Sequence, residues 1–246
     1  MRTAVALAAA FLALAPVRAL AVTVDDILSR IDKNMTYDTR ESTIRMTVTK
    51  GDRVKVYRMH SYGRGADDAA VEYLEPARDK GTKMLKDGEE LWMFMPAVEQ
   101  TKKISGHMLR QSMMGSDMSY EDMMQASAWA QLYAGSVLGE ETVDGRKCWK
   151  VELKATRPDV SYPRRVIFVD QATYIPVKQE LYALSGTLLK TWTMGDIKTY
   201  GTRQFPTKMV VEDKVQAGSK TEIVFESIAF AVPLEEEVFS QRWLER

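Results

Sequence analysis

The sequence predicts a mainly β (α+β) fold, built as one antiparallel meander of about ten or eleven strands with two helical elements. Three observations predict it. The hydrophobic period is helical only at the start and in one later segment, and is two nearly everywhere else. Two Asp-Gly pairs sit between alternating runs, where a tight hairpin needs the positive φ that these residues tolerate. Strands never alternate with helical patterns in the way a parallel sheet requires.

The chain opens with "MRTAVALAAAFLALAPVRALA", a basic second residue, an apolar run from Ala4 to Leu14 and a small-x-small exit at Ala19-Leu20-Ala21. This is the pattern of a Sec-type signal peptide cut after Ala21. The run is shorter than the roughly 20 residues that cross a bilayer. Residues 1–21 are therefore expected to be removed, leaving 22–246 as a single domain in the periplasm. In "TVDDILSRIDKNM", Ile27, Leu28, Ile31 and Met35 fall at helical spacing behind Thr23 as N-cap and Asp26 three residues on. The period then changes. Ile44, Met46 and Val48 alternate with polar residues, and "GDRVKVYRMHSY", "AAVEYLEP", "TKMLK" and "ELWMFMP" follow as strands, with a hairpin at "KDGEE". "EDMMQASAWAQLY" reads as a second helical element, with Ser119 and Asp122 placed as a capping pair.

The second half returns to period two. "GSVLGEETV" and "RKCWKVELKA" form a hairpin on Asp144-Gly145, and "RRVIFVD", "IPVKQELYA", "TLLKTWTMGDIKTY", "TKMVVEDKV" and "KTEIVFESIAF" continue the meander. Cys148 is the single cysteine, so no internal disulfide exists. Alternation with Trp149, Val151 and Leu153 assigns it to a polar strand face as an incidental free thiol.

Charge is balanced, 34 basic against 34 acidic residues, so no field marks a nucleic-acid partner. Two histidines and one cysteine do not make a zinc site. Phosphate loops, nucleophile elbows and HExxH are absent, and nothing signals an enzyme, a catalytic residue, a cofactor or a metal. What stands out is methionine. "HMLRQSMMGSDMSYEDMM", His107 to Met124, holds six methionines in eighteen residues. Thioethers suit Cu(I), and Met113, Met114 and Met118 with His107 would make one such set, although their spacing is irregular. Methionine also lines adaptable apolar surfaces, because its unbranched chain repacks around varied shapes. The strand "GEELWMFMPAVEQ" favours that second reading. Leu91, Met93 and Met95 face one way and Trp92 and Phe94 the other, so both faces need cover.

Gly88 to Gln100, "GEELWMFMPAVEQ", resembles the G-x-x-L-W-x-aromatic-x-P-x-V-E-Q strand of the periplasmic lipoprotein carrier LolA. "ISGHMLRQSMMGSDMSYEDM" is similar to the ISG…MGSDFSYEDL signature of the outer-membrane lipoprotein-sorting branch of the LolA/LolB-like superfamily, and "IAFAVPLEEEVFSQR" to the carriers' closing strand and Pro turn. The resemblance implies an unclosed antiparallel half-barrel with helices covering its concave face, and acyl chains of a lipid or lipoprotein bound beneath. Leu91, Trp92, Met93 and Phe94, with Met113, Met114, Met118 and Tyr120 from the lid, are the candidate cavity and lid residues, Trp92 and Phe94 being expected on the helix-covered side. It further implies transfer towards the outer membrane, with an inner-membrane RND-type transporter and an outer-membrane receptor as partners. The other reading left open is a periplasmic regulatory or Met-rich copper-binding module of the same fold. Arg64 falls near the position of the carriers' lid-holding arginine, but its surroundings, "HSYGRGADD", do not match that motif.

Overall fold

The computed structural model describes residues 22–124, 129–158 and 160–246. The expected leader, residues 1–21, lies outside the described residues. A single antiparallel sheet of thirteen strands dominates. From its middle, β1 (Thr39–Lys50), β2 (Arg53–Arg64), β3 (Asp68–Glu75), β4 (Lys83–Asp87), β5 (Glu90–Met95) and β6 (Gln100–Ile104) step outward in order to one edge. The chain then crosses to the opposite edge. There β7 (Tyr133–Val143) begins the return through β8 (Arg146–Ala155), β9 (Arg164–Asp170), β10 (Pro176–Tyr182), β11 (Leu188–Tyr200), β12 (Arg203–Asp213) and β13 (Ser219–Phe230). The last strand pairs with the first, Ile44 opposite Phe225 and Met46 opposite Ile223. β6 and β7 each keep one partner, so the sheet is an unclosed half-barrel.

This order has a consequence for the methionine-rich segment. It joins the two edges, so it has to run across one whole face. Laid flat, thirteen strands at about 4.8 Å spacing would be roughly 58 Å wide, and sheets of that width curl. Register shifts at Thr43/Ile44, Arg58/Met59 and Val137/Gly139 add local twist. The close approach of β7 to β8 depends on Gly135, where a Cβ would stand 2.0 Å from the Glu152 carbonyl oxygen.

The first helix and the short helices of the crossing segment gather on the inner face. α1 (Val24–Met35) starts where the sequence places it: Thr23 Oγ1 accepts from the Asp26 amide at 3.1 Å. Its Ile27, Leu28 and Ile31 pack on Val151, Leu153, Ile167 and Val169 of β8 and β9. The segment between the edges supplies short 3-10 turns, Gly106–Arg110 and Met113–Gly115, then α2 (Tyr120–Met124) and α3 (Trp129–Leu132). The predicted capping pair is present and reciprocal, Ser119 N to Asp122 Oδ2 at 2.8 Å and Asp122 N to Ser119 Oγ at 3.1 Å.

Several expectations change. The strand missing from the sequence reading is β6, "QTKKI", too polar to show alternation. The first hairpin turns on Gly88-Glu89, since Asp87 still pairs with Glu90. The second does turn on Asp144-Gly145, with φ of 47° and 78°. Cys148 does not face water: it is fully buried with Val166, Phe168, Ile175 and Val177 in a small core on the other face of β8–β10. Trp92 and Phe94 are corrected too. They lie on the outer face, partly buried with Tyr62, Ala70 and Leu85 against Val238, Phe239, Trp243 and Leu244 of the C-terminal segment, whose last turn is α4 (Gln241–Leu244). Period two fixes which residues share a face but not which face is inside.

Candidate functional site

Between the sheet's inner face and the crossing segment lies a cavity of about 270 Å³. Alternation builds its wall. Ile44 and Met46 of β1, Met59 of β2, Val71 and Tyr73 of β3 and Met84 of β4 point inward from one half of the sheet. Leu181, Trp192, Met194, Phe205, Met209, Ile223 and Phe225 do so from β10 to β13. Met113, Met118 and Met123 close it from above, with Ile31 and Met35 of α1 at one side. Phe205 and Phe225 meet edge-on, ring centroids 5.3 Å apart, as aromatic pairs prefer.

The predicted site residues divide. Met113 and Met118 line the cavity. Leu91 and Met93 are buried on the inner face, but in the core under the crossing segment rather than on the cavity wall. Tyr120 is buried there too, its hydroxyl 3.6 Å from the Met93 sulfur; burial raises its pKa above the ordinary phenol value. Met114 packs on the same core and its carbonyl accepts from the Tyr57 hydroxyl at 3.0 Å. Trp92 and Phe94, on the outer face, do not line this cavity. His107 is exposed while Met113 is buried, so the set weighed for copper does not share one environment.

Asp117, from "GSD", ties the crossing segment to the sheet. Its amide donates to Thr221 Oγ1 at 2.9 Å, and its carboxylate accepts from the hydroxyls of Ser219 and Thr221 on β13, all three residues being buried.

Sequence reasoning missed the polar groups inside. Arg40 stacks 4.8 Å over Tyr37, its Nη2 3.4 Å from Ser61 Oγ, while its buried Nε meets no acceptor among the described residues. Lys86 is 7% exposed, donates to the Ala66 carbonyl at 2.6 Å, and is held below the usual lysine pKa by burial. Arg165 and Gln179 are buried at the β9–β10 end. A signal for Arg165 existed: in "RRVIFVD" it shares parity with Ile167 and Val169, the residues facing α1.

A family model described as "-like: Uncharacterized protein" matches residues 65–246, most of the chain. A LolA superfamily protein from Nitrosomonas europaea superposes with a TM-score of 0.76 at 25% identity, over 91% of this chain and all of its own. The chain belongs to the family that this model describes, and its structure is similar to that of the LolA superfamily protein. A DUF1329 family protein from Desulfovibrio piger matches this chain with a TM-score of 0.84 at 25% identity, covering 89% of it and 97% of the other. A Vibrio parahaemolyticus domain described as an outer membrane lipoprotein-sorting protein gives 0.81 at 24% identity, over 90% and 96%. No curated protein matches the chain. Among the described residues, no helix is long and apolar enough to cross a membrane.

Proposed function

We propose that this LolA-like protein is a periplasmic carrier that shelters an acyl chain in its inner cavity and carries it towards the outer membrane. The observation that supports this most is the cavity itself, walled by inward-facing apolar residues and roofed by Met113, Met118 and Met123. A 16-carbon chain needs roughly 12 kcal/mol of apolar shelter to leave a membrane, at about 0.8 kcal/mol per CH₂. The present volume, about 270 Å³, is just below the range usual for small-ligand sites, so a long chain enters by displacing the methionine roof. Methionine permits that at low strain. Residues 1–21 serve as the export signal. The family likeness extends the reading to an RND-type transporter as donor and an outer-membrane receptor as acceptor of lipid or lipoprotein cargo.

Native mass spectrometry of the protein taken from a periplasmic extract tests the proposal. The expected species begins at Val22 and carries co-purifying acyl compounds. Protein that emerges empty and binds no fluorescent fatty acid on titration would end the carrier reading, and stoichiometric copper would replace it.

A further inference from the structure

Resting on the carrier reading, we infer that the cavity selects an amphiphile with an anionic head, a carboxylate or a phosphate, which Arg165 and Gln179 hold at the β9–β10 end. Arg165 is 5% exposed and lines the cavity. Its Nε donates to the Tyr133 hydroxyl at 2.8 Å, and its guanidinium sits 4.8 to 5.4 Å from the ring centres of Trp129, Tyr133 and Tyr162. Rings supply their negative faces but no acceptor, so they offset only part of the cost of burying the charge. Among the described residues no carboxylate pairs with Arg165. The two acids nearby are engaged elsewhere. Asp122 Oδ2 accepts from the Ser119 amide, the Tyr162 hydroxyl and Lys190 Nζ, and Glu121 accepts from the amide and hydroxyl of Ser161.

Gln179 makes the second observation. It is 3% exposed, lines the same cavity, and its side-chain amide has no hydrogen bond among the described residues. Register places it beside the arginine: Leu181 pairs with Arg165 and Gln179 with Ile167, so the two polar side chains are diagonal neighbours on one face, about 7–8 Å apart. A buried guanidinium whose Nη atoms make no hydrogen bond among the described residues and a buried amide beside it together offer the fork that a carboxylate or phosphate accepts bidentately. The two acids of the lining do not cancel the charge. Asp122 is paired with Lys190 and Asp68 with Arg64, which leaves Arg40, Lys86 and Arg165 as a cationic excess around an apolar space. A triacylated lipoprotein terminus has no anion to offer this fork, whereas a fatty acid or a phosphate-bearing lipid does.

The test is displacement of 1-N-phenylnaphthylamine from the full mature protein by dodecanoate, dodecyl phosphate and dodecanol, below their aggregation limits. The wild type is expected to bind one or both anions at least tenfold more tightly than the alcohol, the stronger of the two naming the head-group source. In Arg165→Met, and more weakly in Gln179→Leu, the anions are expected to fall to the level of dodecanol while dodecanol itself is unchanged. Equal binding of all three ligands by the wild type, or an anion preference that survives both variants, overturns the inference and leaves the carrier reading intact. Failure of all three to displace the dye from the wild type removes both. The wild-type comparison decides the matter even if one variant does not fold.

Discussion

Asp117 illustrates how a single residue turns a loop into part of the fold. Ser219 and Thr221 share parity on β13 with Ile223 and Phe225, so their hydroxyls point to the inner face just where the apolar wall ends. Both are buried and both donate to the Asp117 carboxylate. Replacing Asp117 with Ala leaves two buried hydroxyls without an acceptor, and bonds to an ionised group are worth about 1.5–3 kcal/mol. For a chain of this size each kcal/mol moves the melting temperature by roughly 2–4 °C. Two such bonds make about 3–6 kcal/mol, so calorimetry of Asp117→Ala should show a loss of roughly 6–24 °C, with Asn, which keeps one acceptor, in between. A melting temperature unchanged by the Ala variant would mean that the clamp is not what holds the segment. The sequence made the polar cluster of "GSDMSYED" visible, but its partners on β13 lie about a hundred positions away, and nothing local announces them.

The crossing segment is an element in two halves. Gly106–Arg110 forms a 3-10 turn that buries no residue completely, whereas Met113 and Ser116 to Asp117 are buried and tied down. The Met113 amide bonds to Met118 O at 2.8 Å and the Ser116 amide to Met113 O at 2.9 Å. Exposed, weakly packed turns open with little cost and clamped ones do not. Hydrogen exchange in the empty protein should be fast from Gly106 to Arg110 and slow from Met113 to Asp117. Uniformly fast exchange across both halves would show a freely moving lid instead. Legibility at this scale follows locality. The Thr23–Asp26 and Ser119–Asp122 caps and the Asp144-Gly145 turn were readable because each is settled within four residues. The side taken by Trp92 and Phe94 was not, because it is decided by residues 238–244, which cover them from the far end of the chain. Lys83 helps fix that cover, its Nζ donating to the Trp243 carbonyl at 2.8 Å and lying 4.7 Å over the indole.

For the whole molecule, the decisive contact is between the first and last strands, and it is the one that alternation could not foretell. Pairing β1 with β13 puts both meanders into one sheet and leaves β6 and β7 as unpaired edges. An open sheet has to protect such edges from other chains. β6 does so by being five residues long and carrying Lys102 and Lys103. β7 is eleven residues long and mostly exposed, with Leu138 about half accessible, so its protection rests on the bulge at Val137/Gly139 and on Glu140 and Glu141. Changing both glutamates to valine would give "SVLGVVTV", an apolar, β-prone, uncharged run on a free edge, the composition that drives strand-to-strand association. Glu141 also pairs with Lys150 at 3.1 Å, but both are exposed, so its loss costs little in folding. The double variant should keep the wild-type circular dichroism and melting temperature while its light scattering rises steeply with concentration. A hydrodynamic size that tracks the wild type at every concentration would show that the bulge alone guards this edge.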